Sequence, residues 1–282
     1  MDMHVAHAVP DPAAALHRWF SDHRRIFVLT GAGCSTASGI PDYRDRDGAW
    51  KRSPPVTWQA FTGDPAVYRR YWARSSIGWP RFLQAQPNGA HAALARLEAA
   101  GRLAIVVTQN VDGLHQRAGS REVIDLHGRL DGVTCLGCGA HLPRSAVQTA
   151  IVRRNAGWHA TLSHVAPDGD ADIDEAAIDA FLPPNCETCD GLLKPDVVFF
   201  GENVPRERVM RAQSALQGCD AMLVVGSSLM VYSGYRFARM AAQAGLPLAI
   251  LNRGRTRGDE LATLRLEADV GEVLGEIAAG YA

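Results

Sequence analysis

Lysine is nearly missing from the 282-residue sequence: only Lys51 and Lys194 occur, and arginine supplies the rest of the 29 basic residues. The formal net charge is −1, so no global basic field exists to hold nucleic acid or an anionic membrane. Long apolar runs are missing too. Met222 to Val225 and Ala104 to Val107 have strand length, far below the ~20 residues that a membrane helix needs. The N-terminal stretch contains Asp2, Asp11 and Asp22 and no continuous apolar core, which argues against a secretory signal and a transit peptide. Internal repeats and low-complexity tracts are absent, and the 47% hydrophobic and 21% charged content is that of a soluble globular protein. These absences lead to the expectation of a cytoplasmic chain with no nucleic-acid and no membrane partner, and the arginine bias points to a GC-rich, bacterial genome. At roughly 150 residues per domain, the length suggests two domains or one large α/β body with an insertion.

What is present alternates between two periods. A helix at Pro12 to Phe20 leads into the apolar run Ile26 to Leu29, which ends in a glycine turn, Thr30-Gly31-Ala32-Gly33. Asn88 can cap a helix over His91 to Ala100, with Gly101 as its stop, and Leu103 to Thr108 reads as a buried strand. Ala221 to Val225 and Leu246 to Leu251 repeat the strand signature, each preceded by a helical stretch, Pro205 to Leu216 and Tyr235 to Ala244. The fold class implied is α/β, a doubly wound parallel sheet of Rossmann-like kind with ligands at the carboxyl ends of its strands. Two stretches interrupt it. Residues 46–87, rich in Trp, Arg, Pro and Tyr, predict a small helical module, and residues 131–193 predict an inserted small zinc-binding domain. The sheet domain is then expected to comprise 1–45, 88–130 and 194–282.

The strongest chemical signal is a pair of C-x-x-C knuckles, Cys135-Leu-Gly-Cys138 and Cys186-Glu-Thr-Cys189. Four thiolates complete the tetrahedral shell of one zinc and leave no open position, so the metal is expected to be structural. Two disulfides or a redox pair are the alternative, which a cytosolic setting disfavours. Nucleic-acid binding through these knuckles is disfavoured by the acidic residues between them. The run Asp168, Asp170, Asp172, Asp174 resembles the start of a calcium loop, but Ile173 stands where the turn glycine belongs and Asp179 replaces the bidentate Glu. A solvated acidic loop is the simpler reading.

At the strand ends, Gly31-Ala32-Gly33 can approach a pyrophosphate with its backbone N–H groups, although Thr36 occupies the third glycine position of the dinucleotide fingerprint. Ser38 to Arg44 follows as a polar loop. Thr108-Gln109-Asn110-Val111-Asp112 lies at the carboxyl end of the next strand, where a helix cap is the plainer explanation of any one residue. His127 ends the short apolar stretch Val123 to Leu126; a lone histidine there is either a proton carrier or a satisfied structural group. Gly226-Ser227-Ser228 and Asn252-Arg253-Gly254 crest two later strands.

In this order the motifs GAG-x-S-x-x-SGIPDYR, TQNVDGLH, LHG, the paired knuckles, KPDVVFFGE, GSS and NRG resemble the sirtuin family of NAD-dependent protein deacylases across about the whole chain. Tyr71-Trp72-Ala73-Arg74, Gly78-Trp79-Pro80 and Val231 to Phe237 resemble class II, the mitochondrial-type members and their bacterial relatives. Cys34, where an aliphatic residue is usual, and Tyr43, where Phe is common, depart from the pattern. The resemblance implies an enzyme that transfers the acyl group of acyl-lysine to ADP-ribose with release of nicotinamide. It implies NAD and one structural zinc, held by Cys135, Cys138, Cys186 and Cys189, with acyl-lysine proteins as partners. Catalytic roles fall to His127 as base and to Asn110 and Asp112. NAD contacts fall to Gly31, Ala32, Gly33, Ser35, Ile40, Asp42, Tyr43, Arg44, Gln109, Gly226, Ser227, Ser228, Asn252, Arg253 and Val270. The substrate strand is expected beside Val198, Phe199, Gly201 and Glu202. Tyr71 and Arg74, three apart on one helix face, either read a carboxylate on the acyl group or divide into a packed Tyr71 and a solvated basic face. Mono-ADP-ribosyl transfer, an oxidoreductase and a non-catalytic NAD sensor are the competing functions.

Overall fold

The computed structural model describes residues 11–51, 54–160, 164–165 and 171–281. The leading residues, Asp2 among them, and Asp168 and Asp170 of the acidic run lie outside the described residues. Asp11 caps α1 (Pro12–Asp22) by accepting from the Ala13 N–H at 3.2 Å, and α1 feeds β1 (Ile26–Thr30). Within 46–87 the helices are α2 (Trp58–Gly63) and α3 (Pro65–Phe82). Asn88 caps α4 (Gly89–Ala99) reciprocally: its Oδ1 accepts from Ala90 N–H, while its own N–H donates to His91 Nδ1. There follow β2 (Leu103–Thr108), α5 (Leu114–Arg117), β3 (Val123–Asp125), β4 (Gly128–Cys135), β5 (His141–Pro143) and α6 (Arg144–Arg154). A two-residue pair β6 (His164–Val165) and β7 (Ala171–Asp172) precedes α7 (Glu175–Ala180) and β8 (Leu193–Val197). The chain closes with α8 (Arg206–Gln217), β9 (Ala221–Val225), α9 (Tyr232–Gln243), β10 (Leu248–Leu251), β11 (Leu264–Leu266) and α10 (Val270–Ala279). Helix α9 starts at Tyr232, earlier than the apolar periodicity suggested, and β10 starts at Leu248 because Leu246 still closes the preceding helix through its N–H to the Ala241 carbonyl. Among the described residues no helix is long and apolar enough to cross a membrane.

Six parallel strands form the main sheet in the order β11-β10-β9-β1-β2-β3. All residues of β1, β9 and β10 are buried, as expected when helices cover both faces of a parallel sheet. On one face Leu16, Phe20, Leu94, Leu97, Leu274 and Ile277 of α1, α4 and α10 pack on Val28, Val106 and Leu223. On the other, Ala212, Leu216, Phe237 and Ala241 of α8 and α9 pack on Phe27, Leu29 and Val224. Each fully buried Leu or Phe contributes about 1.5–3 kcal/mol relative to an exposed one. Chain order reverses between β1 and β9, which is where ligands bind in such sheets.

The second unit is an antiparallel sheet, β5-β4-β8, whose central strand β4 begins at Gly128 and whose edge strand β8 ends at Val197, so that the sheet runs past 131–193 at both ends. Helix α3 is joined to it by aromatic side chains. Trp72 Nε1–H donates to the Leu193 carbonyl at 3.2 Å, and the Tyr68 hydroxyl accepts from Leu193 N–H at 2.9 Å while donating to the Pro184 carbonyl at 2.6 Å. Arg144, fully buried, lies over the rings of Trp72 and Trp79 at 5.1 and 4.7 Å and donates to Ser75.

At the reversal point the two glycine turns touch. A Cβ on Gly226, whose φ is +59°, would stand 2.4 Å from the Cys34 nitrogen, whereas one on Gly101, φ +72°, would meet nothing within 4 Å. Gly101→Ala is expected to cost only the left-handed strain of about 1–2 kcal/mol. Gly226→Ala adds overpacking of about 1–3 kcal/mol. Urea unfolding of the two variants checks the difference.

Candidate active site

One cavity of about 870 Å³ runs along the carboxyl edge of the main sheet and into the cleft before the small one. Its volume lies in the range of cofactor pockets. The glycine turns form its floor: Gly31 N–H donates to the Val225 carbonyl at 3.1 Å, and Gly33 N–H to the Gly226 carbonyl at 2.9 Å. A Cβ on Gly31 would meet Ser227 Cβ at 2.8 Å, so no larger residue fits between β1 and β9.

The residues after β2 hang on that floor. Gln109 Nε2 donates to Ser227 Oγ at 2.8 Å and to the Thr30 carbonyl at 3.2 Å. Asn110 Nδ2 donates to the Gly31 carbonyl at 3.1 Å and to Ser35 Oγ at 3.0 Å. Ser35 Oγ–H in turn donates to Asp112 Oδ2 at 2.7 Å, and Leu114 N–H donates to Asp112 Oδ1 at 2.9 Å. Both carboxylate oxygens of Asp112 are thus held in place and keep lone pairs for a donor in the cavity.

His127 lies between β3 and β4 at the same edge. Its Nδ1 is 3.0 Å from the Gln109 carbonyl, which can only accept, so Nδ1 carries the proton. Nε2 is therefore the basic nitrogen and accepts from Ser233 Oγ–H at 2.7 Å. Burial pushes the imidazole down to about 4; the Gln109 carbonyl opposes this, and Arg208 and Arg236 reinforce it. The ring is a neutral base at physiological pH. Opposite it runs the segment after β8, joined to the histidine by Val198 N–H donating to the His127 carbonyl at 2.7 Å.

Every residue expected at the cofactor lines this cavity, from Gly31 to Val270, as do His127, Val198, Phe199, Gly201 and Glu202. Glu202 is committed locally: it accepts from Lys194 Nζ and from Phe199 N–H, each at 2.9 Å, and so folds the 199–202 turn. Tyr43, Trp50 and Phe200 form an aromatic triangle, Arg44 lies 3.8 Å over Trp50, and Lys51 pairs with Asp42. Tyr71 lines the cavity but packs inward against Phe61, Trp72 and Phe199. Arg74, one turn further along α3, is not among the lining residues. Ser233 and Arg236 were missed. Both sit on the first turns of α9, inside the Val231 to Phe237 stretch that carries the class II resemblance but was given no site role.

Away from the cavity the four knuckle cysteines converge, with their sulfurs all within 4.8 Å of one another. Cys135–Cys189 and Cys138–Cys186 sulfur distances are 3.5 and 3.8 Å, and no cysteine is disulfide-bonded. A tetrahedral shell with metal–sulfur bonds of about 2.3 Å requires sulfurs about 3.8 Å apart. Cβ atoms on Gly137 or Gly191 would stand 3.1 Å from a cysteine sulfur. The N–H groups of Cys138 and Gly137 donate to Cys135 Sγ and hold that thiol below its usual range.

This arrangement has known counterparts. The model of the Sir2 family matches residues 31–233, about seven-tenths of the chain. The chain belongs to the Sir2 family. The "NAD-dependent protein deacetylase" of Xanthomonas campestris pv. campestris is 59% identical over 267 residues, covering 95% of this chain and 91% of that one. The "NAD-dependent protein deacetylase 2" of Bradyrhizobium diazoefficiens is 61% identical over 253 residues, 90% and 93% of the two chains. Among solved structures, "Sir2-p53 peptide-NAD+" is 33% identical with a TM-score of 0.75 over 94% of this chain and 97% of that one. Another, "Structure of Sir2Tm bound to a propionylated peptide", is 32% identical with a TM-score of 0.74, covering 95% and 97%.

The histidine makes a pH prediction with a definite sign. Its folded pKa of about 4 lies below the ordinary value of about 6.5. Between those values the unfolded chain binds more protons, so the stability contributed by neutral His127 is present above about 6.5 and lost as pH falls toward 4. Nitrogen-15 NMR is expected to report an Nδ1–H tautomer still neutral at pH 6, and His127→Gln to reduce the acid-side loss of stability.

Proposed function

We propose that this protein is an NAD-dependent protein lysine deacylase: acyl-lysine, NAD and water yield lysine, nicotinamide and acyl-ADP-ribose. The observation that carries the reading is the basic Nε2 of His127, facing a cavity bounded by the glycine floor and by the 198–202 segment. The cavity's residues fit NAD. Ala32 and the hydroxyls of Ser227 and Ser228 would meet the pyrophosphate over the glycine floor, whose Gly31 and Gly33 N–H groups are held by the Val225 and Gly226 carbonyls; Arg44 and Arg253 would serve as cations, and Asn252 and Val270 would border the adenosine. Ile40 and the anchored Asp112 take the carboxamide, and Gln109 and Asn110 order the ribose. NAD supplies, when bound, an anomeric carbon from which nicotinamide leaves as the acyl oxygen adds.

The chain's own part is positional and proton-handling. His127 removes a ribose hydroxyl proton at Nε2, and the Gln109 carbonyl steadies the imidazolium that results. Ser233 orients the same nitrogen beforehand. An extended peptide adds beside Val198 to Glu202 through main-chain hydrogen bonds. The acyl end meets Tyr71, Val56, Leu130 and Phe199, a mainly apolar wall, which favours neutral over dicarboxylic acyl groups. The four cysteines are read as the ligands of one structural zinc, holding the small domain (131–193), with 46–87 as the helical module and the remainder as the NAD-binding domain. The class II motifs, the bacterial relatives and the absence of a membrane-length helix among the described residues support a bacterial, cytoplasmic member.

Mass spectrometry of NAD with a panel of acyl-lysine peptides tests the reading. Nicotinamide and acyl-ADP-ribose are expected in equal amounts, acetyl ahead of succinyl, and His127→Ala should bind NAD yet lose about 10² to 10⁴ in rate. NADH formation, ADP-ribosylated protein as the main product, or untouched NAD would each replace it with a competing function. For the metal, about one zinc per chain is expected by elemental analysis, and Cys186→Ala should lose it together with the cooperative fold; a folded, zinc-free wild type refutes that part.

A further inference from the structure

Among the described residues a second group of potential metal-binding side chains exists besides the four knuckle cysteines. Cys34, His91 and His115 come from the glycine turn, α4 and α5, and one donor atom from each lies within 4.8 Å of the others. All three are buried, at 1%, 0% and 1% exposure. The two imidazoles are 4.8 Å apart between centroids. His115 Nε2 is paired with Thr30 Oγ1 at 2.9 Å, whereas its Nδ1 is buried with no hydrogen-bond partner. A buried polar nitrogen left unpaired beside a thiol and a second imidazole calls for an explanation. His91 Nδ1 accepts from the Asn88 N–H at 3.2 Å and His115 Nε2 pairs with Thr30, but neither bond accounts for the bare Nδ1 of His115.

We propose that Cys34, His91 and His115 form a second metal site, distinct from the four-cysteine cluster, that takes a thiophilic divalent cation and weakens NAD binding when filled. One sulfur and two imidazole nitrogens suit zinc or cobalt(II) and discriminate against magnesium and calcium. On binding, the Cys34 thiol gives its proton to solvent, and the metal–thiolate unit keeps one positive charge beside the Asp112 carboxylate. Three protein donors leave one tetrahedral position open. The link to NAD is short. Cys34 N–H donates to the Gly31 carbonyl at 2.9 Å, and its neighbour Ser35 holds both Asp112 and Asn110 while touching His91 Nε2 at 3.4 Å. Drawing Cys34 and His91 onto a metal pulls on the cavity floor and on the group that fixes Asp112. This second step rests on the reading of the cavity as an NAD site.

Cobalt(II) is the probe, added to protein that carries one zinc per chain and equilibrated overnight. The wild type is expected to gain one further equivalent, with a sulfur-to-cobalt charge-transfer band. Cys34→Ala and His115→Gln, each checked for wild-type thermal unfolding, should lose that equivalent or bind at least about 10- to 100-fold more weakly. Equal bands in wild type and Cys34→Ala would assign the metal to the four cysteines and overturn the site, as would no added equivalent. NAD affinity measured by calorimetry is expected to fall on adding zinc to the wild type and to stay constant in Cys34→Ala; constancy in both overturns the coupling. If protein carrying only the four-cysteine zinc binds no NAD, the cavity reading fails, while the cobalt band still decides the site.

Discussion

The contact between two side-chain-free turns governs this molecule. Gly31 and Gly33 after β1 press against Gly226 after β9, at distances that no Cβ could share. The sheet's chain order reverses there, so the helices leaving β1 and β9 diverge and a crevice opens above them. The polar side chains that follow β2 are then fastened to this floor and not to one another: Gln109 and Asn110 each donate to it. Rigid supports of this kind let a site hold its geometry without strain in the reactive groups themselves.

His127 illustrates how a common residue acquires a defined protonation state. A carbonyl that cannot donate fixes the tautomer, and burial with two arginines nearby keeps the ring neutral. None of these influences is local in sequence. Gln109, Ser233, Arg208 and Arg236 come from three other parts of the chain, which meet only because β2, α8 and α9 stack on the same edge of the sheet.

Local signals explain what was legible beforehand. The apolar runs of β1, β2 and β9 and the cap at Asn88 are short-range features, and they appear in the structure where their patterns stand. The knuckle cysteines were readable because each C-x-x-C turn is built from adjacent residues. Ser233 was not, since its partner lies 106 positions away. Arg74 failed as a cavity residue for a related reason: a helix face can be read from spacing, but which neighbour that face meets depends on tertiary packing. On α3 the ring contacts with Phe61, Trp72 and Phe199 hold Tyr71 where it lines the cleft.

The antiparallel pair β4–β8 has a bearing on how distant parts of the molecule communicate. At one end Cys135 is registered with Leu193, beside the sulfur cluster; at the other Gly128 is registered with Val197, next to His127 and Val198. Along β8 the two ends are four residues, about 14 Å, apart, and β4 takes up its longer path in a register shift between Gly128 and Val133. A pair of strands pinned at both ends behaves as a strut, whose length sets the gap between the histidine and the 198–202 wall. Anything that loosened the sulfur end would let the strands slip in register, and the first quantity to change would be the width of the peptide groove, with the tautomer of His127, fixed from the main sheet, left intact.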